Sequence, residues 1–235
     1  MERQRRIHLR PRLAAAAKLI GFADTLADIG CDHGRLSVSA LQSGIAGRVI
    51  ASDISAASAE KARALASYVG VADRMETRCA AGFSALREKE ADALAICGMG
   101  GILIAQILKE AAVPLMGAKK AVLQPMRGIG ELRAYLYAAD YRVEEDVVVR
   151  DAGRYYQVFS VVPGRDELPE GWPEGFFALG PRAVGQEPFR PLAQKMLEQA
   201  EASLMEAKGT RGEAALQKTV EDIQNVLLLR EDDGA

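Results

Sequence analysis

The stretch 27-ADIGCDHGRL-36 decides how this chain is read. The apolar run "TLADI" (25–29) leads into Gly30 and a polar turn, and the turn opens the helical pattern "RLSVSALQS" (35–43), which Gly44 is placed to stop. That is a strand, a turn and a helix. Working outward, the unit repeats. "RVIASDI" (48–54) reads as a second strand, and 55–70 as a helix with Ser55 at its N-cap and Gly70 past its end. "METRCA" (75–80), "ADALAIC" (91–97) and "KKAVLQPM" (119–126) read as further strands, with helices at 101–111 and 130–140. The alternation predicts an α/β, Rossmann-like parallel sheet covered by helices on both faces. "YRVEEDVVVR" (141–150) and "RYYQVFSVVP" (154–163), joined by "DAG", predict a closing antiparallel hairpin. Such a sheet differs from one built of two equal dinucleotide-binding halves.

Residues 163–189 are rich in Pro and Gly and read as a linker, with Trp172, Phe176 and Phe177 packed against a domain. Beyond it, Leu192, Met196, Leu197, Ala200, Leu204 and Met205 recur at helical spacing. After "GTRG", Leu216, Val220, Ile223, Val226 and Leu227 resume that spacing. This predicts an antiparallel helix pair or coiled coil with an apolar seam, a pattern that an intrachain hairpin and a dimer seam share. The division expected is a catalytic domain over 1–163, then linker and helical domain over 164–235.

The 235 residues are 49% hydrophobic and 26% charged, with net charge −2. That balance argues against a generic polyanion binder. Locally, "MERQRRIHLRPRL" holds five arginines, which read either as a disordered start or as a phosphate-contacting arm or helix. Three scattered cysteines, Cys31, Cys79 and Cys97, fit a reduced compartment. No signal-peptide pattern and no apolar run of about 18 residues occurs, so the expectation is a cytoplasmic protein with no membrane contact.

Four chemistries compete for the opening stretch. A metal site needs converging ligands, but the chain has two histidines and Cys31-Asp32-His33 are consecutive, so no metal site is expected. A Cys31 nucleophile lacks a recognisable oxyanion hole. A nicotinamide loop would carry glycines where Asp32 and Arg35 stand, and Asp32 would repel a pyrophosphate. An adenosyl cofactor without pyrophosphate fits better. Gly30 and Gly34 permit close approach, and Asp28 and Asp32 suit a sulfonium and an ammonium. Asp53, closing the second strand, suits two ribose hydroxyls, or else caps a helix. "CGMGG" (97–101) is either a tight turn or a wall for a flat base.

The set "ADIGCDHGRL", "IASDI", "ADALAICGMGGILI", "AVLQPM" and "DAGRYYQVFSVV" resembles the bacterial tRNA (adenine-22-N1)-methyltransferase family, over residues 8 to about 230. The resemblance implies S-adenosylmethionine as methyl donor and tRNA as partner, with no obligatory protein partner. It implies cofactor contacts from Asp28, Gly30, Cys31, Asp32, Gly34, Asp53, Ile54, Ala81, Gly82 and Gly98. Asp32 and Met99 are the catalytic candidates, Asp32 for the emerging cation or for the cofactor's ammonium. Arg5, Arg10, Arg12, His33, Arg35 and Arg127 are the RNA-contact candidates, and Gln124 and Pro125 match the family's "LQP". Four positions depart from the family pattern: Arg35 for a tyrosine, Ser37 for a proline, "AAG" (80–82) for "GDG", and Met126 for the asparagine of some members. A different methyl acceptor, or a catalytically silent scaffold, are the alternatives.

Overall fold

A computed structural model describes residues 6–229, and among these seven strands form one mixed sheet in the order β3-β2-β1-β4-β5-β7-β6. The parallel part is β1 (Ala23–Ile29), β2 (Ala46–Asp53), β3 (Met75–Cys79), β4 (Ala93–Met99) and β5 (Lys120–Pro125). β6 (Tyr141–Asp151) and β7 (Arg154–Pro163) form the antiparallel hairpin, with β7 inserted beside β5. The central strands are apolar on both sides: Leu26, Ala27 and Ile29 of β1 and Leu94, Ala95 and Ile96 of β4 are buried. From β1 the chain steps outward through β2 to β3, then crosses back to β4. The order therefore reverses between β1 and β4, which opens a crevice at their carboxyl ends.

The helices are α1 (Pro11–Ile20), α2 (Arg35–Ser43), α3 (Ala56–Val69), α4 (Gly101–Lys109), α5 (Ile129–Ala138), α6 (Phe189–Glu206) and α7 (Glu213–Leu228). One core packs α1, α2 and α3 on the sheet through Ala16, Leu36, Val38, Ala62 and Ala66, and the other packs α4 and α5 through Ile104, Leu108, Leu132 and Leu136. The sequence reading offered a helix at the basic start only as one option and gave it no bounds. Pro11 at its first turn and four successive alanines favour helix there, and Ala16, Ala17, Leu19 and Ile20 bury its face. The basic start is thus part of the fold from Ile7 onward, whose N–H donates to Gln42 Oε1 at 2.9 Å, while Arg3 and Arg5 lie outside the described residues.

α6 and α7 pack on each other and on the hairpin, burying Leu192, Ala193, Val220, Ile223 and Val226 with Val148 of β6. Trp172 and Phe176 enter this core, and Phe177 stacks on Tyr137 at 5.3 Å. Met205 departs from the expected seam at 79% exposure. Leu204 takes the inward position, and one residue is about 100° around a helix.

One buried cluster was not legible beforehand. Arg133 of α5 lies 2.7 Å from Asp146 of β6, both essentially unexposed, and donates to Gln157 Oε1 at 3.0 Å. Its guanidinium sits 4.2 Å from the Phe159 ring centroid. Gly180 passes so close to both charges that a Cβ there would collide with them. Removing one member of such a pair strands the other charge in the core. Arg133→Met is expected to lower unfolding free energy by about 3–5 kcal/mol in urea melts, and a loss below about 1 kcal/mol would show that the pair is dispensable.

Candidate active site

A cleft of about 580 Å³ opens over the carboxyl ends of β1, β2 and β4. Its first wall is the loop after β1. The N–H groups of Gly30 and Cys31 both donate to Ser52 O, each at 2.8 Å, hanging the loop from β2. Asp32 takes a left-handed φ of 50° and donates its N–H to Asp53 Oδ2 at 3.0 Å. Asp53 Oδ1 accepts from Ser55 N–H at 2.9 Å. The cap of α3 is Ser55, whose Oγ accepts from Ser58 N–H, so Asp53 is not the N-cap itself. Each Asp53 oxygen keeps unused acceptor capacity, which suits a vicinal diol.

Asp28 forms the floor at 2% exposure, and its carboxylate accepts from the buried Ser37 hydroxyl. Burial pushes its pKa from an ordinary 3.8 up to about 6, against the pull of the Ser37 bond and with a smaller push from Asp53. The thiols of Cys31 and Cys97 are likewise pushed up by burial and by Asp28, so neither is an activated nucleophile.

The opposite wall is the turn after β4. Met126 N–H donates to Met99 O at 2.8 Å and Gly101 N–H to Arg127 O at 2.7 Å, tying this turn to the one after β5. A Cβ on Gly101 would overlap Gly128 O, so that glycine serves the crossing of two backbones. Gly98, at φ 79°, lines the cleft. Met99 also lines it and lays its methyl against Gly30, where a Cβ would collide. Leu103, Gln106, Ile107 and Glu110 complete this side from one face of α4. The sequence reading missed them, although their i, i+3, i+4, i+7 spacing marks a shared face.

The other expected site residues sort as follows. Gly30, Cys31, Asp32, His33, Ile54, Ala81 and Gly82 line the cleft, as do Arg10, Arg12 and Arg35. Gly34 does not: at φ 68° it starts α2, and its Cα faces Ala62, leaving no room for a Cβ. Its role is packing α2 on α3. Arg12 turns inward, donating to Gln124 Oε1 at 2.7 Å, with Asp151 at 3.7 Å and the Tyr156 ring at 5.9 Å. These partners fix α1 to β5 and the hairpin while Arg12 still lines the cleft. Arg35 donates to His8 O at 2.9 Å, and exposed Arg127 lies over Gly100 outside the cleft wall. Arg5 lies outside the described residues. His33 Nδ1 is 2.7 Å from Asp32 Oδ2, and Lys61 Nζ is 3.4 Å from Nε2. An ammonium can only donate, so this geometry puts the imidazole proton on Nδ1, toward Asp32.

Asp28 links the site to stability. Between pH 3.8 and about 6 the folded state holds the extra proton, so stability falls as pH rises through that window. The full cost, about 3 kcal/mol, is present above neutrality. Asp28→Asn removes it. The stability difference between variant and wild type is expected to move in the variant's favour by about 2 kcal/mol from pH 4 to pH 8 in chemical denaturation, and a pH-independent difference would contradict the buried-acid assignment.

Residues 9–159 match the family model described as a methyltransferase domain. The chain is 31% identical over 166 residues to the tRNA (adenine(22)-N(1))-methyltransferase of Bacillus subtilis, covering 70% of each protein. A Streptococcus agalactiae structure described as an NADB-Rossmann superfamily protein superposes with a TM-score of 0.85 at 28% identity, covering 94% of this chain and 98% of that one. A Streptococcus pneumoniae putative tRNA (m1A22) methyltransferase, solved with S-adenosyl-L-methionine, superposes at 0.80 with 26% identity, covering 92% and 98%. With a methyltransferase domain over most of its length and a curated relative aligned across two thirds of both chains, the protein belongs to the tRNA (adenine(22)-N(1))-methyltransferase family.

Proposed function

We propose that this protein transfers the methyl group of S-adenosylmethionine to N1 of adenine 22 in tRNA. The observation that carries the reading is the cleft itself: three carboxylates, Asp28, Asp32 and Asp53, converge at the switch point of a methyltransferase-family sheet. The cleft volume falls in the range of small-molecule sites. Asp53 has capacity for two ribose hydroxyls, and Asp28 and Asp32 supply negative charge for a cationic ligand. When bound, S-adenosylmethionine would supply an electrophilic methyl group on a sulfonium.

Adenine N1 carries its own lone pair, so the protein's work is alignment and electrostatics. N1 lies on the pairing edge, and the base must leave its pair to enter the cleft. Gly98, Met99 and Leu103 offer it a flat, aliphatic and thioether wall, with exposed Ile102 and Met126 flanking it on the adjoining turns. Among the described residues, the cleft lining carries no Phe, Tyr or Trp. Positive charge arrives on the base as N1 is alkylated, and Asp32, oriented by His33, is placed to stabilise it.

Arg10, Arg35 and Arg127 are exposed around the cleft and suit phosphate contacts, whereas Arg12 positions the wall from inside. Packing of α6 and α7 on Val148 supports a propping role for the tail. Among the described residues no helix is long and apolar enough to cross a membrane, and a tRNA substrate fits work in the cytoplasm.

Labelled methyl transfer to unmodified tRNA, with nuclease mapping, is expected to yield N1-methyladenosine at position 22. Label elsewhere would name another acceptor, and cofactor binding without transfer would favour a silent scaffold. Asp32→Asn is expected to slow single-turnover transfer at least about 10-fold, whereas weakened cofactor binding at an unchanged single-turnover rate would assign Asp32 to the cofactor's ammonium alone. Arg127→Ala should lower the slope of log affinity against log salt by about 1, and an unchanged slope would remove it from the RNA face.

A further inference from the structure

The end of the cleft beyond Asp53 holds an acid that the folded protein does not use. Moving outward from β1, the cleft passes Asp28 and Asp32, then Asp53 at the end of β2, then Ile54 and Ala80–Gly82 at the end of β3. With Asp53 on the ribose, as the cofactor reading has it, the nucleobase would fall at this outer end. The turn there, "AAG" at 80–82, contributes no polar side chain. α4 closes the same end: a Cβ on Gly82 would meet Ile107 at 3.3 Å and Glu110 Oε2 at 3.8 Å.

Glu110 stands at the C-cap of α4, exposed, among the cleft-lining residues and with no ion-pair or hydrogen-bond partner for its carboxylate among the described residues. A carboxylate at a helix C-terminus faces the negative end of the helix dipole, so this position is electrostatically unfavourable for an acid. Adenine presents an exocyclic amine, a pure donor, and a carboxylate is a pure acceptor. We propose that Glu110 accepts a hydrogen bond from the exocyclic amine of the cofactor's adenine, and so selects an adenosyl over an inosyl cofactor. This rests on the reading of the cleft as an S-adenosylmethionine site. A keto oxygen in place of the amine would set acceptor against acceptor, so that the contact is lost and the two oxygens repel.

The experiment is calorimetric binding of S-adenosylhomocysteine and its deaminated inosyl analogue to the full chain and to Glu110→Ala and Glu110→Gln. Wild type is expected to favour the adenosyl form by at least about 10-fold. Glu110→Ala should weaken the adenosyl form by roughly 10-fold or more and bring the two ligands close together, with the thermal midpoint unchanged or raised. Glu110→Gln, whose amide can donate to the keto oxygen, should narrow the preference from the other side by tightening the inosyl form. Adenosyl affinity within 2-fold of wild type in both variants would overturn the proposal. Equal weakening of both ligands with the preference intact would also overturn it, since that marks a general effect on the cleft. Failure of wild type to bind S-adenosylhomocysteine at all would instead overturn the cofactor reading, and the proposal with it.

Discussion

The carbonyl of Ser52 accepts the N–H groups of both Gly30 and Cys31, and the site depends on that shared acceptor. It pulls the loop after β1 across to the end of β2, so that Asp32 N–H reaches Asp53 and the carboxylates from two strands face one space. Gly30 can serve there because φ 74° is open to glycine and because Met99 occupies the place a side chain would need. The opposite wall is built by the same economy of backbone, with Gly101 and Gly128 crossing at a distance no side chain permits. Main-chain bonds thus do much of the work of fixing both walls.

Burial of Asp28 sets function against stability. An acid kept out of water with one hydroxyl partner resists ionisation, and a cationic ligand is what would favour its charged form. The site is poised to gain most when something positive arrives. Ser37 moderates the cost without abolishing it, which suits a residue at a position inside α2 that faces the strand. Strain of this kind concentrates where ligands bind, and the well-packed cores on both sheet faces offset it.

The sheet and its closing hairpin were legible because strand and helix periods alternate without ambiguity from 25 to 163. The residues of the first loop were legible because Asp and Gly at a strand end have few other uses. α1 was only half legible because the arginines before and within it read as a charged arm as readily as a helix. Arg12, read as an RNA contact, also bonds a residue 112 positions away, a pairing no local pattern encodes. The Arg133–Asp146 cluster was invisible for the same reason: each charge sits in an ordinary amphipathic context until α5 meets β6. The cleft face of α4 was within reach of helical spacing but is overshadowed by the glycine turn before it.

The Arg12 tie also bears on the order in which the protein takes shape. It joins the first helix to Gln124 near the end of β5 and approaches Asp151 at the tip of the hairpin, the last strands to be made. A nascent chain that has produced β1 to β4 already owns most of the carboxylates, yet lacks the groups that hold α1 over them. Closing so long a loop is entropically expensive until those later strands exist. During synthesis the cleft would therefore mature from the back of the chain forward, and an emerging chain would remain without a finished pocket until the hairpin clears the ribosome.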